Sequence, residues 1–574
     1  MGSSQPSGTG GAPAFAAWLD GFFASYFRHR PVSATFVGVH AYNDRLPDLS
    51  DAGRGEARAA AESLLAGLRA LPDEPLDEAQ AMDRVLARGF LEIQRWEFGS
   101  GHFTRNPCVH TSEAAFGLIS LLRRPFAPLA ERLAAARERL DAIPDLLDGA
   151  LATPQPVPAA WLERAQAECA GLRALLGDGP DAGGGIEQLV VDTGPVRLDR
   201  HGLRAALRSA WAAVGRLEER LRESRRSASD AYACGPEALE LILRSGHALS
   251  LGAAEIERYA ADQLAESQAY LRERARDFEA ASWEEALAGL AQLHPSTDGY
   301  YARYGELWNA CRQAVESRRL LTWPDRPVRY VPRPAWLRAA APHLYLLAYH
   351  APAPRDALPE TEYFVTPIEL GLPPAEQTRL LRATNDSVIK LNHVVHHGGV
   401  GHHVQNWHAA RARSRIGQIA AVDCASRIAL LCGGTMAEGW ACYATELMGE
   451  IGFLSRREAF AVRHGRLRIA ARAVVDVRLH QGRLTLDEAA AFYRERVGLP
   501  PAAAWAEAVK NSLFPGTALA YLMGTDSIHR LRRELSTRPG FELGRFHDAL
   551  LGHGSVPVAL IAEAMRTGWW PDAG

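Results

Sequence analysis

None of the seven cysteines (Cys108, Cys169, Cys234, Cys311, Cys424, Cys432 and Cys442) belongs to a Cys-x-x-Cys pair, and their number is odd. That absence excludes a disulfide framework and a zinc knuckle. A run of the roughly 18 apolar residues needed to span a bilayer is missing as well. The opening stretch, MGSSQPSGTGGAPAF, has no basic segment followed by an apolar one, so no signal peptide is expected. Charge of one sign is also lacking. With 64 basic and 67 acidic residues the net charge is −3, and no basic stripe or polybasic patch is visible. Nucleic acid and membrane surfaces are therefore not expected partners. Together these absences lead to the expectation of a reduced, cytoplasmic, globular protein.

What is present is mostly helix. The chain has 574 residues, 47% of them hydrophobic and 23% charged, enough for one very large or two to three ordinary domains. Segments such as DEAQAMDRVLARGFLEIQRWEF and LAERLAAARERLDAIPDLLDGAL repeat apolar residues at three- and four-residue spacing and are built from strong helix formers. Residues 1–13 read as a disordered tail and 14–176 as an N-terminal helical region. GDGPDAGGG at 177–185 reads as a Gly-rich linker, because five glycines and a proline cannot continue a helix. Residues 186–374 read as helical with Pro-rich loops. Within them, the stretch from Thr322 to Pro374 alternates prolines with Val, Tyr and Phe runs, which suggests a short sheet edge. Residues 375–574 read as a C-terminal helical region that holds the metal-site motifs. The expected fold class is mainly α with at most a small β element.

That last region carries the chemistry. Six of the 20 histidines lie in LNHVVHHGGVGHHVQNWH, between His393 and His408, where an even scatter would put fewer than one. Histidine is the commonest side-chain metal ligand. Zinc enzymes use three protein ligands and an open position, usually imidazoles and a carboxylate. On an unbroken helix His396 and His402 or His403 would stand about 9–10.5 Å apart along the axis, too far to share an ion. Gly398, Gly399 and Gly401 between them permit a kink that closes the gap. His393 and His397, at i and i+4, form an alternative pair that needs no kink. Further on, TMAEGWACYATEL offers Glu438 as a carboxylate ligand. Thr435-x-x-Glu438 equally matches a capping box, in which the glutamate serves only the helix start.

These residues resemble the bacterial domain of unknown function numbered 885, whose members look like distant gluzincin-type metallopeptidases. The resemblance rests on His396 to Gln405, against a His-Glu-x-x-Pro-Gly-His-His-Leu-Gln stretch, and on Glu438-Gly439-Trp440-Ala441-Cys442-Tyr443. It extends to PVSATFVGVHAYNDRLPDLS (31–50), RAVVDVRLH (472–480), FPGTALAYLMG (514–524) and FHDALLGHGSVPVALI (546–561). It implies a large helical metallopeptidase-like fold with a deep central cleft. It implies His396, His402 and Glu438 as metal ligands with His403 beside them, and Tyr521 as donor to a developing oxyanion. Asp476 and His480 are implied as supporting or acid/base groups, and Arg472 as a partner for a substrate carboxylate.

The chain departs from that pattern at its chemical centre, where His397 replaces the glutamate that acts as general base. Losing such a base typically costs roughly 10²–10⁴-fold in rate. Three functions follow as expectations. His397 takes over as base, and the protein hydrolyses an amide or peptide-like bond of a small substrate with zinc. Or His397 joins the ion, and iron, copper or manganese supports redox, lyase or rearrangement chemistry. Or the site is a relic in a binding protein.

Overall fold

The computed structural model describes residues 12–567, apart from 153–154, 178, 180–182, 195–198, 347, 351 and 426–427. Most of the tail expected over 1–13 lies outside these residues, as does the centre of the Gly-rich stretch 177–185. Pro13 already opens a helix, Pro13–His29, and Gly185 opens another, Gly185–Asp192.

The architecture is mainly helical, as the periodicity requires. Helices begin where the sequence supplies caps. Asp77 with Gln80, Ser455 with Glu458, and Thr485 with Glu488 close capping boxes at the starts of Glu78–Ser100, Arg456–His480 and Leu486–Val497. Each such cap contributes about 1 kcal/mol by satisfying orphan backbone donors. A hydrophobic core of buried side chains runs through the molecule, from Ala12 and Phe15 to Met565. Among the described residues no helix is long and apolar enough to cross a membrane.

The expected β element forms inside the Pro-rich stretch. Strand β1 (Val328–Pro332) pairs in parallel with β2 (Thr361–Val365), Val328 opposite Thr361 and Pro332 opposite Val365. This small sheet buttresses the histidine segment. Tyr330 and Tyr363 face each other in register with ring centroids 4.9 Å apart. The Tyr330 hydroxyl donates to the His393 carbonyl at 3.2 Å, and Tyr304 stacks on the His393 ring at 5.7 Å. His393 is thereby absorbed into an aromatic wall.

Two further helices cross at backbone contact. A Cβ added to Gly524, on Ala520–Leu535, would stand 2.0 Å from the Thr435 carbonyl oxygen on Gly434–Glu450. Only glycine allows that approach. It brings Tyr521, one turn earlier on its helix, onto Glu438.

Candidate metal centre

The histidine segment does not run as one helix. Ile389–Gly398 is π-helical, the chain breaks at Gly399–Gly401, and a regular helix restarts at His402–Ala409. A Cβ on Gly401 would lie 2.0 Å from the His396 carbonyl oxygen, so the fold-back needs glycine there. Two indoles pin the break: Trp308 donates to the Gly398 carbonyl at 2.8 Å and Trp440 to the Val400 carbonyl at 2.9 Å. The result is that the His396 and His402 rings approach to 4.9 Å between centroids. The gap that an unbroken helix would leave is closed.

Three imidazoles meet. One ligand nitrogen from each of His396, His397 and His402 lies within 4.8 Å of the others. Glu438 comes in from the Gly434–Glu450 helix, its Oε2 3.8 Å from His396 Nε2 and 3.5 Å from His402 Nε2. Two ligands on one tetrahedral zinc are separated by about 3.4 Å. Glu438 Oε2 is also buried and has no hydrogen-bond partner among the described residues, while Oε1 accepts from the Tyr521 hydroxyl at 2.8 Å. A buried, unpartnered carboxylate oxygen between imidazoles fits a divalent cation. The capping box does not form: Gly433 is the N-cap, without a side-chain cap, and Thr435 Oγ1 accepts from the Val558 amide at 3.4 Å.

The electrostatics follow from enclosure. Burial pushes the Glu438 carboxyl up, but His402, His396 and Tyr521 more than reverse this and hold it well below the usual carboxylate range. Burial, with His402 second, lowers His396 to about 4. Burial and then its two imidazole neighbours lower His397 as well. His402 is lowered by burial but raised further by Glu438. His397 Nδ1–H donates to the Asn392 carbonyl at 2.6 Å, which leaves Nε2 with the lone pair. Fixing one ring nitrogen on a carbonyl is how proteins orient metal-binding or basic imidazoles.

Three expected site residues are engaged by other partners. His403 follows His402 by one residue, so it points about 100° away around the helix. Its Nε2 donates to the Arg326 carbonyl at 2.8 Å and its Nδ1 faces the Tyr349 hydroxyl at 3.5 Å, so it is not a ligand. His480 is fully buried away from the cleft, where Nε2 donates to the Asn511 carbonyl at 2.9 Å; it is a structural group, not a catalytic one. Arg472 lines the cleft, but its fork is taken by Glu507, with both bonds at 2.7 Å, so it is not free for a substrate carboxylate.

Asp476 works from behind. Fully buried, it accepts from the Gly516 and Leu519 amides, each at 3.0 Å, and so staples the loop that leads into Tyr521. Asp476→Ala would leave both buried amides unpaired, at about 1–3 kcal/mol each. The expected result is a lower unfolding midpoint with metal affinity reduced less than about 10-fold. Loss of metal at unchanged stability, read by chelator competition and thermal unfolding, would place Asp476 at the centre instead.

His396, His397, His402, Glu438, Arg472 and Tyr521 line a cleft of about 530 Å³, the size of a small-molecule site. Among the wall residues that escaped the sequence reading are Asp423 and Lys510. Burial pushes the Asp423 carboxyl up to about 6, against the pull of His402. Asp423 carries no local signal. Lys510 does: with Lys390 it is one of only two lysines in the whole chain.

Comparison with known proteins agrees on the fold and gives no activity. A family model described as a bacterial protein of unknown function, DUF885, matches residues 31–565. Among solved structures, a candidate lipoprotein of unknown function from Shewanella oneidensis superposes with a TM-score of 0.75 at 20% identity, over 97% of this chain and all of that one. A second, a candidate lipoprotein from Colwellia psychrerythraea, gives 0.71 at 17% identity, over 96% of this chain and 98% of that one. At these identities the likeness is one of fold. No curated protein matches the chain.

Proposed function

The chain belongs to the bacterial DUF885 family, and for it we propose a metal-dependent enzyme that hydrolyses an amide or peptide-like bond in a small substrate. One observation carries the reading: Glu438 Oε2 is buried and unpartnered between His396 and His402. These three are the proposed ligands, the set of two imidazoles and a carboxylate that the resemblance to gluzincin-type peptidases implies. A divalent cation, zinc foremost, supplies Lewis acidity here when bound.

The remaining groups act on protons and position. His397 Nε2, fixed as the lone-pair nitrogen, takes a proton from the attacking water and returns it to the leaving amine. Tyr521 donates its one hydroxyl proton to Glu438 Oε1 here, and turned away from Glu438 it offers that proton to the developing oxyanion. The cleft has room for a substrate of modest size. We keep the cytoplasm as the proposed compartment, in keeping with seven free cysteines. The candidate-lipoprotein descriptions of the two solved relatives make an envelope location the outcome that cell fractionation has to exclude.

A second reading rests on a different observation, the mutual closeness of all three imidazoles. If His397 is a ligand, iron, copper or manganese and redox, lyase or rearrangement chemistry replace hydrolysis.

Metal content decides between them, measured by mass spectrometry on protein purified with and without air, beside His396→Ala. The hydrolase reading expects about one equivalent of zinc, lost in the variant. Iron, copper or manganese at that stoichiometry favours the second reading. No metal in either preparation, even after reconstitution, would leave a binding protein.

A further inference from the structure

Arginine has almost entirely displaced lysine in this chain: of 64 basic residues, two are lysines. Lys390 has a structural task. Its ammonium donates to the Phe453 carbonyl at 2.8 Å and to Glu458 at 2.9 Å. Lys510 has none of this. It lies on the Pro501–Leu513 helix, lines the cleft, is exposed there, and has no hydrogen bond or ion pair with a described residue.

Exposed lysines are usually just solvated, so the charges around this one matter. Arg466 is matched by Asp526 at 2.8 Å and by Glu446 at 3.5 Å. Arg468 and Arg472 share a single carboxylate, Glu507, one turn before Lys510 on its helix. Of the three cations on this wall, two are committed to Glu507; Asp423 and Glu438 face the same cleft but neither forms an ion pair with the lysine, which alone among the three is uncommitted. Enclosure by the cleft walls and then Arg472 lower the Lys510 pKa, whereas Glu507 and Glu438 raise it, so the ammonium feels the guanidinium wall and the proposed ligand Glu438 alike while its side chain keeps contact with solvent.

We propose that Lys510 is the anion anchor of the cleft, pairing with a carboxylate of the substrate. The substrate class is then a small acid, such as an N-acyl amino acid or a peptide with a free C-terminus. A compact ammonium on a flexible stem suits a mobile carboxylate beside fixed guanidinium forks. The inference rests on reading the cleft as the site of a small amide or peptide-like substrate.

Calorimetric titration of the full chain with N-acetylphenylalanine and with its primary amide tests it, using wild type, Lys510→Met and Lys510→Arg, each zinc-loaded and zinc-free. The free acid should bind wild type about 10- to 100-fold more tightly than the amide, as a charge-assisted pair implies. Lys510→Met should erase that preference and Lys510→Arg keep most of it. Equal affinities in wild type, no binding of either probe, or a preference that survives Lys510→Met would overturn the proposal. Zinc measured in the same samples separates the two ideas. A preference without zinc binding condemns the metal reading and leaves the anchor, and zinc without a preference does the reverse. Acetylation by an amine-selective ester, mapped by mass spectrometry, gives an independent reading. The acid should protect Lys510 and the amide should not; equal protection counts against the anchor.

Discussion

Glu438→Gln lowers the affinity for zinc by about 100-fold or more while leaving the metal-free fold intact. The carboxamide keeps the shape and can still accept from the Tyr521 hydroxyl, which now bonds Oε1 at 2.8 Å. It loses the anionic oxygen that sits 3.5 and 3.8 Å from two imidazoles without a partner of its own. Removing an oriented group behind the ligands already costs 10–100-fold in metal affinity, and a ligand costs at least that. The second readout is thermal. Excess zinc should raise the unfolding midpoint of wild type, since a ligand at about 100 times its dissociation constant adds roughly 2.7 kcal/mol. The variant should show no such rise. A capping role for Glu438 predicts the opposite pattern, a loss of about 1 kcal/mol with zinc binding unchanged. If Glu438→Gln holds zinc as tightly as wild type, the three imidazoles alone form the centre and the second functional reading gains.

Gly401→Ala tests the fold-back itself. The new Cβ would sit 2.0 Å from the His396 carbonyl oxygen and 2.8 Å from that of Val395, backbone atoms that cannot swing aside. Either the break opens or the π-helical turn shifts, and both carry His402 away from His396. Overpacking of this kind costs about 1–3 kcal/mol, occasionally more. The expected outcome is a lower unfolding midpoint together with loss of bound metal. Gly305→Ala is the control. It lies in the Tyr300–Ser317 helix with nothing within 4 Å of the added Cβ, so alanine should be neutral or stabilise by roughly 0.5–1 kcal/mol. Full metal occupancy in Gly401→Ala would show that the glycine break is not what assembles the site.

Much of this is legible in the sequence alone. Helix positions follow from local spacing and caps, which nearest neighbours decide, and the Ser455–Glu458 box opens its helix where the motif stands. The Pro-rich stretch yielded its small sheet for the same reason. The glycines among the histidines announced a kink. The two lysines were legible as well, but only to a count of what the chain avoids.

Direction was not legible. Sequence could not separate His402 from His403, because the choice depends on how the helix restarts after the break, and that is set by Trp308 and Trp440 from distant segments. Arg472 and His480 stood in motifs of the right kind, yet Glu507 and the Asn511 carbonyl claim them, partners brought in by the Pro501–Leu513 helix. Glu438 had two equally good roles until packing against Gly524 turned the question into one of distance. The sequence by itself determined the helical class, the histidine cluster and the place where the chain must bend, since these depend on neighbours within a few residues. Which side chains meet was decided only by tertiary structure, because a ligand set is a sum of directions contributed by elements far apart in the chain.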